Sequence, residues 1–183
     1  MTVFRPVLAV LVIAISACGS STSAGTPSPS ASPSPSASAS AIACTNAGPA
    51  SPDWPAPSDA SAMPAVTSVS ATGDILTITF AQGTPAFDVV PQSNAHFVMD
   101  PSGLPANVSG NAGAAIELRG FPTGGQGNFV GTIKTASLGP LLKDVKKIGD
   151  FEGVVSFAAG LASPGCANVA AGGSTLTFRF VSS

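Results

Sequence analysis

From Val66 onward, apolar and polar residues alternate in short runs with a period of two. Leu76, Ile78 and Phe80 alternate with Thr77 and Thr79, the pattern of a strand with one face buried. Ile116 and Leu118 alternate with Glu117 and Arg119, so charge points one way and hydrocarbon the other. Leu176, Phe178 and Phe180 alternate with Thr175, Thr177 and Arg179. Phe87, Val89 and Val90, stopped by Pro91, make another run, as do residues 96–99, 129–135 and 154–157. Turn chemistry separates them: Thr72-Gly73-Asp74, Gln82-Gly83-Thr84-Pro85, Pro101-Ser102-Gly103, Gly124-Gly125-Gln126-Gly127 and Gly172-Gly173-Ser174. Only residues 137–147 offer a helix, with Leu138, Leu141, Leu142 and Val145 near helical spacing, and Gly139-Pro140 restricts it to a short turn. Seven or eight short strands broken by such turns predict an all-β fold, an antiparallel β-sandwich, with an open barrel as second choice.

The amino-terminal pattern is different. Arg5 is the only charge before an apolar run over residues 7–15, too short to span a bilayer. Ile15-Ser16-Ala17-Cys18 closes it and resembles the bacterial lipobox. That resemblance implies a signal peptide over residues 1–17, cleavage before Cys18, and a lipidated cysteine that anchors the chain to the outer face of the cell membrane. Each buried methylene contributes about 0.8 kcal/mol, so two or three acyl chains hold a protein where one does so only marginally. Residues 18–43 form a tether that, apart from Cys18 and Ile42, is Ser, Pro, Ala, Gly and Thr, with no charge and no aromatic ring. Such residues bury too little apolar surface to offset their ordering entropy, so a disordered linker is expected. Extended at about 3.1 Å per residue, it reaches about 75 Å from the membrane.

Composition narrows the remainder. The chain has seven Lys and Arg against nine Asp and Glu; loss of Arg5 with the signal leaves six against nine, a charge of −3. That balance excludes the electrostatic footprint of a nucleic-acid binder. Residues 44–65 are still rich in Pro, Ala and Ser but gain Asp53, Trp54 and Asp59, which suggests an ordered lead-in that lays Trp54 on a domain of residues 66–183. Apart from Cys18, the cysteines are Cys44 and Cys166, one at each end of the domain. In an exported protein this pair reads as a disulfide closing a loop of over a hundred residues, valued at about 4–5 kcal/mol by chain entropy.

Catalytic chemistry is thinly represented. His96 is the only histidine, and no serine sits in a Gly-x-Ser-x-Gly elbow. Asp150 and Glu152 are two apart; in a plain strand both face one side while Phe151 faces the other. The simplest expectation is therefore Phe151 in the core and two solvated acids, with a hydrolase using Asp150 and Glu152 as a lesser alternative. No metal set or cofactor motif is written here, and Gly124-Gly125-Gln126-Gly127 lacks the ending of a phosphate loop. Lys143, Lys146 and Lys147 form a small basic cluster just before the acids.

Ile148-Gly149-Asp150-Phe151-Glu152-Gly153-Val154-Val155, followed by Gly160-Leu161, resembles the signature of the AMIN-like domain of actinobacterial lipoproteins. Residues 74–80 resemble its first core strand, and Thr84-Pro85-Ala86-Phe87-Asp88-Val89 its next, with phenylalanine for tyrosine. The likeness spans about residues 66–181. It implies a noncatalytic β-sandwich of the cell envelope, associated with peptidoglycan or a cell-wall protein. The rim expected to make contact holds Asp150 and Glu152 with Lys146, Lys147 and Trp54. The high apolar fraction and ten phenylalanines raise one alternative, a carrier of lipid or a small apolar ligand between the two sheets.

Overall fold

A computed structural model describes residues 44–45, 47–54, 64–123 and 127–183. Residues 1–43, on which the expected signal peptide, the lipidation of Cys18 and the expected tether fall, lie outside the described residues. The alternating segments form strands Val66–Gly73 (β1), Ile75–Phe80 (β2), Ala86–Gln92 (β3), His96–Met99 (β4), Leu104–Asn107 (β5), Ala112–Arg119 (β6), Ile133–Leu138 (β7), Leu142–Phe151 (β8), Val154–Leu161 (β9), Gly165–Gly172 (β10) and Thr175–Ser182 (β11). No helix occurs among the described residues. A five-stranded sheet runs β10-β11-β2-β1-β7, and a four-stranded sheet runs β3-β6-β9-β8. All pairs in these sheets are antiparallel except β1 with β7.

The two sheets pack as a β-sandwich. Their facing positions form one core: Val69, Leu76, Ile78, Leu176 and Phe178 from one side, and Val89, Ile116, Leu118, Val155 and Phe157 from the other. Phe87 meets Phe178 across the interface edge-on, with ring centroids 5.9 Å apart, a favoured geometry for aromatic pairs. The threonines and charges that alternate with these residues are less buried, as period two requires.

Residues 137–147 hold no helix: 137–138 end β7, 139–141 form the bend between strands, and 142–147 belong to β8. Asp74, in the β1–β2 turn, accepts hydrogen bonds from the amides of Leu141 and Leu142 at 2.9 and 2.8 Å. Leu142 and Val145 then face the core from a strand paired with β9. Burial and pairing override local spacing here. The run expected at 129–135 becomes regular strand only from Ile133; Phe129 makes an isolated bridge to Val66. β1, β5 and β10 add strands that a hydrophobic pattern hardly marks, because they are built largely of Ser, Thr, Ala, Gly and Asn.

The lead-in stitches the sandwich along one side. Cys44 and Cys166 form a disulfide with Cα atoms 5.6 Å apart, tying it to β10. The Thr45 amide donates to Ala167 at 2.8 Å, and the Gly48 amide donates to Phe87 on β3 at 2.8 Å. These contacts cover part of one edge strand of each sheet, β10 and β3, which would otherwise offer unpaired backbone to another chain. Trp54 ends the first described stretch of the lead-in. Its Nε1 donates to the Gly120 carbonyl at 3.0 Å, and its ring lies 5.5 Å from Phe121 and 6.3 Å from Phe80.

Candidate functional site: a groove under the β4–β5 hairpin

β4 and β5 pair only with each other and lie on the outer face of the four-stranded sheet as a third layer. Phe97 anchors them, buried with Ala95 and Ala158 and flanked by Ala106, Val108, Ala115 and Ile148. Small residues make the bed. A Cβ on Gly113 would stand 2.6 Å from the Phe97 ring, and one on Gly160 would stand 1.9 Å from the Ser109 carbonyl. The hairpin is also held at its ends. The Asp100 amide donates to Ile148 at 2.7 Å, the Ser109 amide donates to Asp144 at 3.1 Å, and Lys146 donates to the Asn107 carbonyl.

The hairpin covers only part of that face. Beside it runs an open groove of about 540 Å³. Its floor and apolar wall are Phe97, Ala115, Ile148, Phe151 and Val154; its polar groups include Gln92, His96, Asp100, Glu117, Glu152 and Ser156. His96 stands at the start of β4, exposed, and its amide donates to the Asn94 Oδ1 at 3.0 Å.

A β-bulge decides which side chains face the groove. The β8–β9 register shifts between Lys147 and Gly149, so Ile148 is an extra residue. Beyond a bulge, every side chain changes face relative to simple alternation. Asp150 is thereby paired with core-facing Val155 and turned inward, while Phe151 is turned outward, 46 % exposed. The sequence expectation of Phe151 in the core and two solvated acids is reversed for Phe151 and Asp150. The Asp150 carboxylate is 8 % exposed, accepts the amides of Asn128 and Phe129 at 2.8 and 3.0 Å, and lies 3.6 Å from Lys147. It fastens the 127–129 segment to the sheet edge. Glu152 and Gly153 form the tip of the β8–β9 hairpin with φ of 48° and 78°, both positive, as a type I′ turn requires.

The expected rim is therefore divided. Lys147 belongs with Asp150, its Nζ 5.6 Å from the centre of the Phe129 ring. Lys146 belongs with the β4–β5 hairpin, 3.6 Å from Asp144. Trp54 reaches the Gly153 turn only through Phe121, whose amide donates to Gly153 at 3.1 Å. Of the expected binding residues, Glu152 alone lines the groove. The space between the sheets, where an apolar cargo would have to sit, is occupied by Phe157, Phe178, Leu76, Ile78 and their neighbours.

Sequence reasoning missed His96, Phe97, Asp100, Glu117 and Phe151 as groove residues. One signal was available. Outward positions of β6 and β9 carry Gly113, Ala115, Ala158 and Gly160 where an uncovered sheet would carry polar side chains.

Fold and groove together define an all-β sandwich with a hairpin-bordered surface groove. Comparison with protein-family models, with curated proteins and with solved structures finds no match to this chain.

Proposed function

We propose that this chain is a lipid-anchored module of the cell envelope that holds cell-wall material against the outer face of the cell membrane and performs no covalent chemistry on it. The groove is the observation that supports this reading most. It presents apolar floor and hydrogen-bonding rim together on a rigid sheet, the composition of a binding cleft. The division of the two acids also favours binding over glycoside hydrolysis: Asp150 is engaged by two backbone amides, and Glu152 stands at a turn tip. Two-carboxylate hydrolysis needs both groups flanking one bond. The lipobox-like start, the tether and the AMIN-like likeness of residues 148–161 point to the same setting.

The test uses the full chain, exported by a bacterial host and extracted in nonionic detergent. It should sediment with purified cell-wall sacculi, and Ser156→Arg, which puts a long side chain into the groove, should stay in the supernatant. Absence of sedimentation by the parent, or equal sedimentation of parent and variant with unchanged melting, overturns the proposal. Intact mass of the extracted protein should show the acyl adduct on Cys18, and Cys18→Ala should release the chain from the membrane fraction.

A further inference from the structure

The charge on the groove is one-sided. Asp100, Glu117 and Glu152 line it, and neither lysine nor arginine does. The nearest cations are spoken for. Arg119 is held by Asp88 and by Glu117 at 3.4 Å, Lys146 by Asn107 and Asp144, and Lys147 by Asp150 and the Phe129 ring. Among the described residues Asp100 and Glu152 have no ion pair. Between these carboxylates the groove surface is hydrocarbon and aromatic: Phe97, Ile148, Phe151 and Val154.

We infer that the groove takes a primary amine at the end of an alkyl side chain on a short peptide. This rests on the cell-wall reading and names the part of the wall that is held. An alkylammonium matches the site in two ways. Its stem lies along the apolar floor, as lysine stems do on protein surfaces. Its head is drawn to the rim carboxylates and to the exposed Phe151 ring. Sugar hydroxyls carry no positive charge and satisfy only the hydrogen-bonding half of this surface; in cell-wall polymers the alkyl amines are on the peptide stems. A bare divalent cation fits less well: no three His, Cys, Asp or Glu gather as a ligand set among the described residues, and the apolar floor gives an ion nothing.

Calorimetric titration of the full chain in detergent tests this with three probes. They are the peptide acetyl-Ala-Gln-Lys-Ala-amide, the same peptide acetylated on the lysine amine, and chitotetraose as a bare glycan. The amine peptide should bind, acetylation should weaken binding by about tenfold or more, and chitotetraose should give no heat. Asp100→Asn and Glu152→Gln change exposed residues and should keep the parent melting temperature while each weakens the amine peptide by about three- to tenfold. Equal binding of amine and acetylated peptides, or binding of chitotetraose alone, overturns the inference. The two proposals separate cleanly. Sedimentation with sacculi without peptide binding overturns the amine and leaves the cell-wall reading standing. Peptide binding without sedimentation keeps the amine site and overturns the cell-wall reading.

Discussion

Replacing Asp150 by asparagine separates the two acids of the 148–155 segment by what they hold. Asp150 accepts two backbone amides at 2.8 and 3.0 Å from a side chain 8 % exposed. Asparagine keeps one oxygen acceptor and turns an NH₂ toward the other amide, so one charge-assisted hydrogen bond is lost and two donors face each other. A hydrogen bond to a charged group contributes about 1.5–3 kcal/mol, and an amide left unpaired in a partly buried site costs about 1 kcal/mol more. The ion pair with Lys147, itself 39 % exposed, adds less than about 1 kcal/mol. The expected loss is about 2–4 kcal/mol. For a domain of this size that lowers the melting temperature by about 6–15 °C. Glu152→Gln, at an exposed turn position, should stay within about 0.5 kcal/mol of the parent. Thermal melts by far-ultraviolet circular dichroism on the full chain in one detergent measure both. An Asp150→Asn melt within about 2 °C of the parent, or a Glu152→Gln drop of similar size, refutes the assignment of Asp150 as the clip for residues 127–129.

Three further outcomes are expected. Glu152→Asn should raise stability by about 0.5–1 kcal/mol, because asparagine tolerates the positive φ of the first turn position better than glutamate; a lower melting temperature contradicts the type I′ turn. Cys44→Ser should lower stability by about 4–5 kcal/mol on the chain-entropy model, since the bridge joins positions 122 residues apart, and reductant should do the same to the parent and nothing further to the variant. Gly160→Val should cost about 1–3 kcal/mol, because its side chain enters the space of the Ser109 carbonyl; hydrogen exchange should speed up through β5 and residues 108–109 while β2 and β11 stay protected, and uniform exchange rates would contradict the hairpin as a separate layer.

The placement of the groove has a structural cause. A sandwich buries one face of each sheet and normally leaves the other to polar side chains. Here the outer face of the four-stranded sheet carries glycine and alanine under the hairpin, then widens to Glu117, Ser156 and Phe151 beyond it. The change from small to large residues along β6 and β9 makes a step, and the groove is that step. Disulfide, lead-in bonds and the Asp74 clip hold the surrounding frame.

The alternation of Leu76, Ile78 and Phe80 with threonines, and of Leu176, Phe178 and Phe180 with Thr175, Thr177 and Arg179, determined by itself that these segments are strands and which side chains enter the core. Side-chain direction in a regular strand depends only on parity, and parity is written in the sequence. The even pair of cysteines likewise indicated the Cys44–Cys166 bridge. What residues 142–151 do was decided by tertiary structure alone. The spacing of residues 137–147 admitted a helical turn, and only pairing with β9 and capture of Leu141 and Leu142 by Asp74 made the part from Leu142 onward strand. The bulge at Ile148 then inverted parity for Asp150 and Phe151, so a local pattern pointed each to the wrong face. Bulges and the docking of a hairpin on a distant sheet depend on contacts between segments far apart in the chain, and a period-two pattern carries no record of them.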